Sequence, residues 1–417
     1  MSVTVRYGVV GTGMMGIEHI ANIRALPGAE VTAVADPHPP SRQAAREALA
    51  DQDLAVFDDH RALIDSELCD AVVLATPNMT HIDLLRDLMA TDLHLLVEKP
   101  LCTRVEDCRW VVERQRRREQ VLWVGMEYRY MPATARLIAE VRRGTLGDLK
   151  MLAIREHRFP FLPKVNDWNR FNANSGGTLV EKCCHHFDLM NHIIGNPPVR
   201  VYASGSQAVN HLDERYGGHR PDILDNAYVI VDYRDGQRAM LDLCMFAEGG
   251  ENQEELVAVG DRGKVEARLP SGLVLTGPRD GEWFSPTVET ATDGRIAHTG
   301  GHHGASYLEH LEFLSAIRNE TPPQVSAYDG YLAVAMGVAA QRSIEQHRPI
   351  DMAEVLAPPT GKWGEHMSRR PETDVGVDAA TLIAEERLRR DTEIGSRYPN
   401  DRPPGGERPV QGSDPRP

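Results

Sequence analysis

Three side chains at helical spacing, Glu181, His185 and Asp188, have the chemistry that proton transfer requires. Residues four and then three positions apart fall on one stripe of an α-helix, so this spacing places two carboxylates and an imidazole side by side. A carboxylate beside an imidazole fixes its tautomer and raises its basicity, which suits acid–base work near neutral pH. A solvated polar helix face with a capping glutamate would show the same pattern. The rest of the chain has to separate these two interpretations.

A single helix over residues 175–195 is predicted to position these groups. The run SGGTLVEKCCHHFDLMNHIIG has apolar residues at helical spacing, with Thr178 as its N-cap and Gly195 as its stop signal. The adjacent Cys183 and Cys184 are expected to be two small buried side chains on that helix. The six cysteines of the chain show no paired zinc spacing and no export signal is visible, so we expect reduced thiols in a cytoplasmic protein.

The strongest cofactor signal is the string GTGMMG, whose glycines are Gly11, Gly13 and Gly16. It follows an apolar strand predicted for residues 6–10 and precedes a helix predicted for residues 17–26. This setting turns a G-x-G-x-x-G string into a dinucleotide fingerprint. The first glycine permits the tight turn, the second lets the backbone approach the pyrophosphate, and the third lets helix and strand pack closely.

Asp36 ends the next predicted strand, residues 31–35, and favours NAD over NADP. A carboxylate at this position accepts hydrogen bonds from the adenosine ribose and repels a 2′-phosphate. A lysine at the C-terminal end of a parallel strand, such as Lys99, lies where ligands bind in these sheets. The other candidate cofactor-binding residues lie in the first helical turn or at strand ends: Met14, Met15, Thr76, Pro77, Asn78, His81 and Glu98.

The composition of the chain argues against some classes of binding partner. A formal net charge of −15 over 417 residues argues against nucleic acid and anionic membranes, because both call for basic patches. No apolar run approaches the roughly 20 residues of a membrane span. The glycine-flanked pair His302–His303 lacks an acid or cysteine at ligand spacing, so we expect no metal there. We expect this pair to line the substrate cleft, just before a helix that begins near Ala305.

Five motifs, GTGMMG, ATPNMTH, VEKP, VGMEYRYMP and GGTLVEKCCHHFDL, occur in an order that resembles the Gfo/Idh/MocA (glucose–fructose oxidoreductase/inositol dehydrogenase) family. The resemblance covers about residues 4–356. It implies an α/β fold with an N-terminal Rossmann domain and a C-terminal α/β domain, whose large, open, mostly antiparallel sheet often serves in oligomer contacts. It also implies that Lys99 is the catalytic lysine, that Glu181 and His185 are the acid–histidine pair, and that Asp188 binds substrate. The family most often has aspartate where this chain has Glu181.

The predicted domains are an NAD-binding Rossmann domain over residues 1–126 and a substrate-binding and oligomerisation domain over residues 127–356. Two hairpins are predicted in the second domain, over residues 228–246 and 255–269, around Asp-Gly and Asp-Arg-Gly turns. A C-terminal extension over residues 357–417 is rich in proline, glycine and charged residues, so we expect it to be disordered or arm-like and dispensable for activity.

The segment that leads into the 175–195 helix is rich in amides, arginine and aromatics, which are the groups that hold a polyol. Histidine and arginine on the strand before it are further candidates, Arg155 among them. The substrate-binding residues we predict are Lys99, Tyr128, Arg129, His157, Trp168, Asn169, Arg170, Asn172, His185 and Asp188.

These features predict NAD-dependent oxidation of a secondary hydroxyl of a cyclic polyol or sugar to a ketone, or the reverse reaction, in a homo-oligomer (dimer or tetramer). His185 takes the hydroxyl proton, Lys99 holds and polarises the oxygen, and Glu181 orients the histidine. Two alternatives stay open. One is an NAD-dependent glycosidase that oxidises, eliminates and re-reduces its substrate, and the other is a non-catalytic sugar or NAD sensor. The sequence leaves the sugar and the reacting carbon open.

Overall fold

Six parallel strands form the first sheet of the computed structural model, which describes residues 4–356. They are β1 (Val5–Val10), β2 (Ala29–Ala35), β3 (Ala55–Phe57), β4 (Ala71–Leu74), β5 (His94–Glu98) and β6 (Leu122–Gly125). Their spatial order is β3-β2-β1-β4-β5-β6, the order of a doubly wound dinucleotide-binding sheet. Strands β4 and β6 are buried along their whole length, as the continuous apolar runs in the sequence predict.

The connections between these strands are helical. They contain α1 (Met14–Arg24), α2 (Pro39–Ala48), α3 (His60–Asp65), α4 (His81–Leu88) and α5 (Val105–Gln115). Helix α1 begins directly after Gly13, three residues earlier than the sequence pattern predicts. The free amide groups of its first turn therefore lie beside the glycine loop.

Nine strands form the second sheet. They are β7 (Leu149–His157), β8 (Pro198–Ser206), β9 (Asn226–Tyr233), β10 (Arg238–Cys244), β11 (Glu254–Gly260), β12 (Gly263–Leu269), β13 (Leu273–Pro278), β14 (Thr287–Thr290) and β15 (Ile350–Asp351). Their spatial order is β14-β13-β12-β11-β7-β10-β9-β8-β15. Only the β7–β10 pair is parallel among these described strands. The large, mostly antiparallel sheet and both predicted hairpins, β9–β10 and β11–β12, are thus observed.

One face of this second sheet is covered by helices and the other is open. The helices of this part of the chain are α6 (Pro132–Arg142), α7 (Asn172–Ser175), α8 (Thr178–Glu181), α9 (Cys184–Ile194), α10 (Ala305–Asn319), α11 (Ala327–Gln346) and α12 (Met352–Leu356). On the open face the strands expose large apolar side chains at alternate positions: Met151, Tyr202, Tyr228, Ile230 and Met240.

The single helix predicted over residues 175–195 is wrong. The chain forms α8 and α9 instead, with an interruption at Lys182 and Cys183. At this interruption the carbonyl oxygen of Glu181 accepts a hydrogen bond from Lys99 Nζ (3.1 Å). The helix breaks where a buried charged side chain from the first domain needs an acceptor, and no local sequence pattern reports such a need.

The ends of this segment agree only in part with the prediction. Thr178 is the first helical residue rather than the N-cap, and its hydroxyl donates to the carbonyl of Leu224 (2.5 Å). Gly195 ends α9 in the left-handed conformation (φ +71°), as its stop signal predicts. Cys183 and Cys184 are both fully buried, and all six cysteines are free.

Helix α11 lies against both domains. It packs on α5 and β6 of the first and on α9 and β8 of the second. Ser326 and Asp329 cap its start reciprocally, each side chain accepting from the backbone amide of the other. A Cβ atom on Gly330 would lie 3.0 Å from Leu101, and one on Gly337 would lie 2.5 Å from the Leu179 carbonyl, so glycine permits both approaches.

The predicted C-terminal extension, residues 357–417, lies outside the described residues. None of the helices within residues 4–356 combines the length and the hydropathy that crossing a bilayer requires.

Candidate active site

The glycine loop between β1 and α1 is shaped by close backbone contacts. Gly11 has φ +88°, and a Cβ atom there would lie 2.6 Å from the carbonyl oxygen of Ala75. A Cβ atom on Gly16 would lie 2.0 Å from the carbonyl oxygen of Gly11. Beside Gly13, in contrast, no atom of the described chain lies within 4 Å of the Cβ position. A pyrophosphate fits this space, because the helix N-terminus next to it presents free amides and the positive end of a dipole.

Asp36 fixes this loop from the end of β2, where the sequence places it. Its Oδ2 accepts a hydrogen bond from the Thr12 amide (2.7 Å), and its Oδ1 accepts one from the His38 amide (2.8 Å). Met14 and Met15 form the first turn of α1 beside it. Oδ2 also accepts from the Thr12 hydroxyl (3.3 Å), so Oδ1 is the oxygen that keeps acceptor capacity for a ribose hydroxyl.

His81 has a structural position, which corrects its prediction as a cofactor residue. It is fully buried, with Nδ1 3.0 Å from the carbonyl oxygen of Pro100 and Nε2 3.1 Å from that of Thr76. Burial also lowers its pKa, so the neutral ring joins the loop after β4 to the loop after β5. Asn78 is similarly used, donating to the carbonyl of Ser175 (3.0 Å). Thr76, Pro77 and Asn78 lie between β4 and α4, where the sequence predicts them.

Glu98 belongs to a buried network between α1 and α10. Its Oε1 lies 2.8 Å from Nε2 of His19, whose Nδ1 lies 2.8 Å from Nε2 of His310. Its Oε2 accepts the amide of Lys99 (3.1 Å). Burial opposes the carboxylate charge, but the contact with His19 lowers the pKa of Glu98 overall. Both oxygens are engaged within the protein, which does not favour the predicted contact with the cofactor.

Lys99 stands at the C-terminal end of β5, and its peptide bond to Pro100 is cis. Its Nζ donates to the carbonyl of Glu181 across the break between α8 and α9. Burial alone would lower the pKa of this ammonium, but the neighbouring acidic groups Cys184 and Glu181 outweigh it and raise the pKa. A fixed positive charge therefore lies at the sheet edge where ligands bind in such folds.

His185 lies deep in the same region, with its side chain 2% exposed. Its ring stacks on that of Tyr128, with centroids 4.0 Å apart and planes 7° from parallel. Burial, together with the positive charges of Lys99 and Lys182, lowers the pKa of His185 well below its ordinary value. The imidazole is therefore neutral near pH 7 and able to accept a proton.

The predicted pair of Glu181 and His185 does not form. The nearest carboxylate to His185 is that of Glu127, whose Oε1 lies 3.7 Å from Nε2. Oε2 of Glu181 is buried without a hydrogen-bond partner among the described residues. Burial raises the pKa of Glu181 to about 7, against the opposing effect of Lys99. The break after Glu181 removes the continuous helical register on which the prediction rested.

Asp188 and Arg129, both predicted to bind substrate, bind each other. The Arg129 guanidinium donates two hydrogen bonds to the Asp188 carboxylate, one of them 2.6 Å long from Nε, and also lies 3.1 Å from Asp329. The three side chains are at most 4% exposed. Breaking a buried pair of this kind costs about 3–5 kcal/mol, so these residues support the fold of the site.

His157, predicted to bind substrate, lies on the open face of β7. Its Nε2 lies 3.1 Å from Asp242 on the open face of the sheet, where Arg155 also pairs with Glu255 (2.5 Å). Its neighbour Glu156 points to the helix-covered side, because side chains alternate along a strand.

The loop before α7 uses most of its predicted polyol-binding groups internally. Asn169 is fully buried and donates to the carbonyl of Leu162 (3.1 Å), and Arg170 donates to Glu214 (3.1 Å). The amide group of Asn172 donates to the carbonyl of Asp222 (2.9 Å). The Trp168 side chain is half-buried, so it keeps surface for a ligand.

A second buried cluster supports the floor of the site. Glu156, His186 and Glu254 are the one group of three potential metal ligands that the described residues bring together. Oε1 of Glu156 lies 2.8 Å from Nζ of Lys182 and 3.3 Å from Nη1 of Arg158. Its Oε2 lies 2.7 Å from Nε2 of His186. Two cationic side chains thus neutralise these carboxylates, and an added metal ion would be repelled by both.

Lys182 links this cluster to the histidine. Its ammonium donates to the Tyr128 hydroxyl, and the opposite part of that ring stacks on His185. Lys182 therefore has a structural role: it holds the Tyr128 ring on which the imidazole stacks.

Comparison with known proteins identifies the family of this chain. The family model described as "Oxidoreductase family, NAD-binding Rossmann fold" matches residues 5–126. The model described as "Oxidoreductase family, C-terminal alpha/beta domain" matches residues 138–352. The chain belongs to the Gfo/Idh/MocA oxidoreductase family. The predicted family, the two-domain α/β fold and NAD as the cofactor of the first domain are confirmed.

Similar members of the Gfo/Idh/MocA family include myo-inositol 2-dehydrogenase of Thermotoga maritima, 28% identical over 357 residues (84% of this chain, 99% of the relative). Inositol 2-dehydrogenase of Rhizobium meliloti is 28% identical over 360 residues (84% and 100%). Among solved structures, an oxidoreductase domain protein from Kribbella flavida has a TM-score of 0.74 at 19% identity (84% and 100%). Levoglucosan dehydrogenase in complex with NADH also has a TM-score of 0.74, at 18% identity (84% and 99%). The two structures show the shared fold.

We expect Gly13→Ala to weaken NAD binding without unfolding the chain. The added methyl meets only open space in the protein but occupies the approach to the pyrophosphate. A loss of about tenfold or more in affinity, roughly 1.4 kcal/mol, is expected by calorimetry, with an unchanged melting temperature. Gly16→Ala is the matched control, because its methyl would collide with Gly11 and should lower both affinity and stability. Unchanged NAD affinity in Gly13→Ala would contradict this placement of the cofactor.

We expect Glu181→Gln to flatten the dependence of stability on pH. The folded-state pKa of Glu181 is about 7, above the ordinary 4.5, so the native state binds the extra proton between these values. Wild-type stability should fall as pH rises from about 4.5 to about 7, and this loss should be absent in the variant. Denaturant melts at pH 5 and pH 8 measure the difference, with the exposed Glu251→Gln as control. An equal pH slope in Glu181→Gln and wild type would refute the buried, protonated carboxyl.

Proposed function

We propose that this chain catalyses NAD-dependent oxidation of a secondary hydroxyl on a cyclic polyol or sugar to the ketone, or the reverse. The observation that carries the proposal is that a charged lysine and a neutral histidine lie close to each other. Lys99 follows the C-terminal end of β5, in the same sheet as the strand that leads into the glycine loop, and its charge is close enough to the neutral, buried His185 to lower the pKa of that ring. Alcohol oxidation needs both a cation near the oxygen and a base for its proton.

Each residue has one task in this proposal. NAD, when bound, supplies the acceptor for the hydride. Lys99 holds the hydroxyl oxygen and stabilises the negative charge that grows on it as the proton leaves. His185 accepts that proton, and its stacking on Tyr128 keeps the ring in place. Glu181 is assigned no orienting role, because it makes no hydrogen bond to the imidazole.

The relatives support the substrate class. Two proteins that the chain matches over nearly their full length are named inositol 2-dehydrogenases, and inositols are cyclic polyols with secondary hydroxyls only. The predicted contacts of Asp188, Arg129 and His157 with substrate are not part of the proposal. The half-buried Trp168, which can lie against a sugar face, remains part of it.

The two alternatives are separated by the net redox change. A dehydrogenase accumulates NADH with its substrate, whereas a glycosidase that re-reduces its intermediate releases sugar without NADH, and a sensor does neither. The presence of both Lys99 and His185 counts against the sensor, and the names of the two inositol 2-dehydrogenases that the chain matches favour the dehydrogenase over the glycosidase.

We expect His185→Ala to lower kcat by roughly 10²–10⁴ while NAD still binds, because proton transfer is removed. Lys99→Met should be similarly damaging, and the double variant should lose little more, since the two residues act on one oxygen. Absorbance at 340 nm with myo-inositol and scyllo-inositol measures the rates, and circular dichroism reports folding. Lys150→Met, on an exposed lysine, is the control. A folded His185→Ala enzyme with near wild-type kcat would overturn the assignment.

We also propose that the chain forms a homo-oligomer through the open face of the second sheet. Exposed apolar residues lie in register across neighbouring strands there: Tyr202 pairs with Ile230, and Ile230 pairs with Met240. Ile230 and Tyr228, on the same face, are 49% and 64% exposed. A continuous apolar face of this kind is typical of protein–protein contacts, and a two-fold axis would pair it with itself.

We expect Ile230→Lys to reduce the mass of the particle in analytical ultracentrifugation, because a charge replaces an apolar contact at the centre of the face. The monomer should keep its fold, since the side chain is exposed. Val209→Lys places the same charge at an equally exposed position beyond the end of β8 and should leave the mass unchanged. A sedimentation profile of Ile230→Lys identical to the wild type would rule out this face.

A further inference from the structure

A row of four titratable side chains runs outward from His185, and each comes from a different part of the chain. Oε1 of Glu127, just after β6, lies 3.7 Å from Nε2 of His185 and 3.6 Å from Nε2 of His302. Nδ1 of His302, in the loop before α10, lies 3.8 Å from Oε1 of Glu18 on α1. The row is His185, Glu127, His302, Glu18.

The two inner side chains of this row are buried, and the two outer ones are partly exposed. The side chains of His185 and Glu127 are 2% and 4% exposed, whereas those of Glu18 and His302 are 18% and 28% exposed. The row therefore connects the buried proton acceptor of the proposed reaction with the solvent. His185 lacks another such connection in the described chain, since its Nδ1 is buried without a hydrogen-bond partner.

The groups of the row are suited to passing a proton. Burial raises the pKa of the Glu127 carboxyl, with His302 opposing this effect. Burial opposes the charge on His302, but Glu18 and Glu127 outweigh it and raise the His302 pKa. The contact with His302 in turn lowers the pKa of Glu18. The charged or titratable groups that face Glu127 are Glu98, Lys99, His185, His302 and Glu309.

We propose that Glu127 and His302 relay the hydroxyl proton from His185 to solvent. This inference rests on the proposed dehydrogenase function. In the oxidation direction the O–H bond of the substrate breaks and its proton binds Nε2 of His185, while the hydride from carbon goes to NAD. The imidazolium passes its proton to the Glu127 carboxylate, and Glu127 passes it to Nε2 of His302. His302 then releases a proton from Nδ1 to water, so one proton leaves for each NADH formed.

Both ring nitrogens of His302 are placed for this role. Nε2 faces Glu127, while Nδ1 lies 3.3 Å from the Ser306 hydroxyl and faces Glu18. The Glu18 carboxylate is anchored by the Gly301 amide (2.9 Å). The gaps on either side of Glu127 exceed the roughly 2.6–3.2 Å of a hydrogen bond, and such catalytic contacts commonly shorten when substrate binds.

Kinetics with myo-inositol and scyllo-inositol test transport through the relay. We expect Glu127→Gln and His302→Asn each to lower kcat about tenfold to a hundredfold, with KM little changed. The solvent deuterium isotope effect on kcat should increase, because proton release becomes rate-limiting. Added imidazole buffer should restore part of the rate in His302→Asn, since it replaces the missing surface acceptor.

Two matched controls separate a relay from general damage. His347→Asn changes an exposed histidine at the end of α11, outside the row, and asparagine tolerates its left-handed backbone (φ +53°). Glu309→Gln changes a carboxyl that is equally buried but bonds Trp123 (3.2 Å) instead of a histidine. Both should keep the wild-type isotope effect. Wild-type kcat and isotope effect in Glu127→Gln, or a slow His302→Asn that imidazole does not accelerate, would overturn the relay.

A titration of the free protein tests the same link without substrate. With ¹⁵N-labelled histidine, the resonance missing in His302→Asn identifies His302, and its pKa should fall in Glu127→Gln because a carboxylate neighbour is lost. An unshifted His302 would overturn the relay. If the His185→Ala variant described above keeps near wild-type kcat, the proposed function itself fails, whereas a slow His185→Ala with a normal Glu127→Gln rejects only the relay.

Discussion

Lys99 and Lys182 enter one buried region from two sides, and each has an oxygen within hydrogen-bond distance of its ammonium. Lys99 has the carbonyl of Glu181, and Lys182 has the carboxylate of Glu156. An ammonium withdrawn from water without such a partner costs several kcal/mol, so these contacts are a condition of the fold. The break between α8 and α9 satisfies both, because it frees a carbonyl for one lysine and directs the other away from solvent.

The same burial has different effects on the groups of the site, and the differences set their protonation. Desolvation lowers the pKa of His185 and raises that of Glu127, while nearby acidic groups keep Lys99 charged. A neutral base, a fixed cation and a carboxyl of raised pKa then coexist within a few side chains. Groups whose environments move their pKa values apart are a frequent sign of acid–base function.

The parts of this molecule that the sequence predicts are those that local rules govern. Glycine spacing, apolar strands buried on both faces and the Asp-Gly hairpin turn each depend on neighbours in the chain, and the structure contains all of them. Glu127 lies two residues after the end of β6, so the strand-end rule that selects Lys99 would also have selected it.

The remaining features depend on contacts between distant parts of the chain. The partner of Asp188 is Arg129, 59 positions away, and no spacing reveals that pairing. The helix break responds to Lys99, 82 positions from the carbonyl that it binds. The face of β7 on which His157 lies is equally hard to predict, because a single step along a strand exchanges its two faces.

The packing of helix α11 on both domains affects how the protein folds and unfolds. Its glycines let it pack closely against the Rossmann domain on one side and against α8 and α9 on the other. The helix therefore covers part of the core of both domains. The helix lies near the end of the described chain, so the nucleotide-binding half is finished only after nearly all of residues 4–356 are available. The packing of α11 on both domains therefore couples the folding of the Rossmann half to that of the second domain.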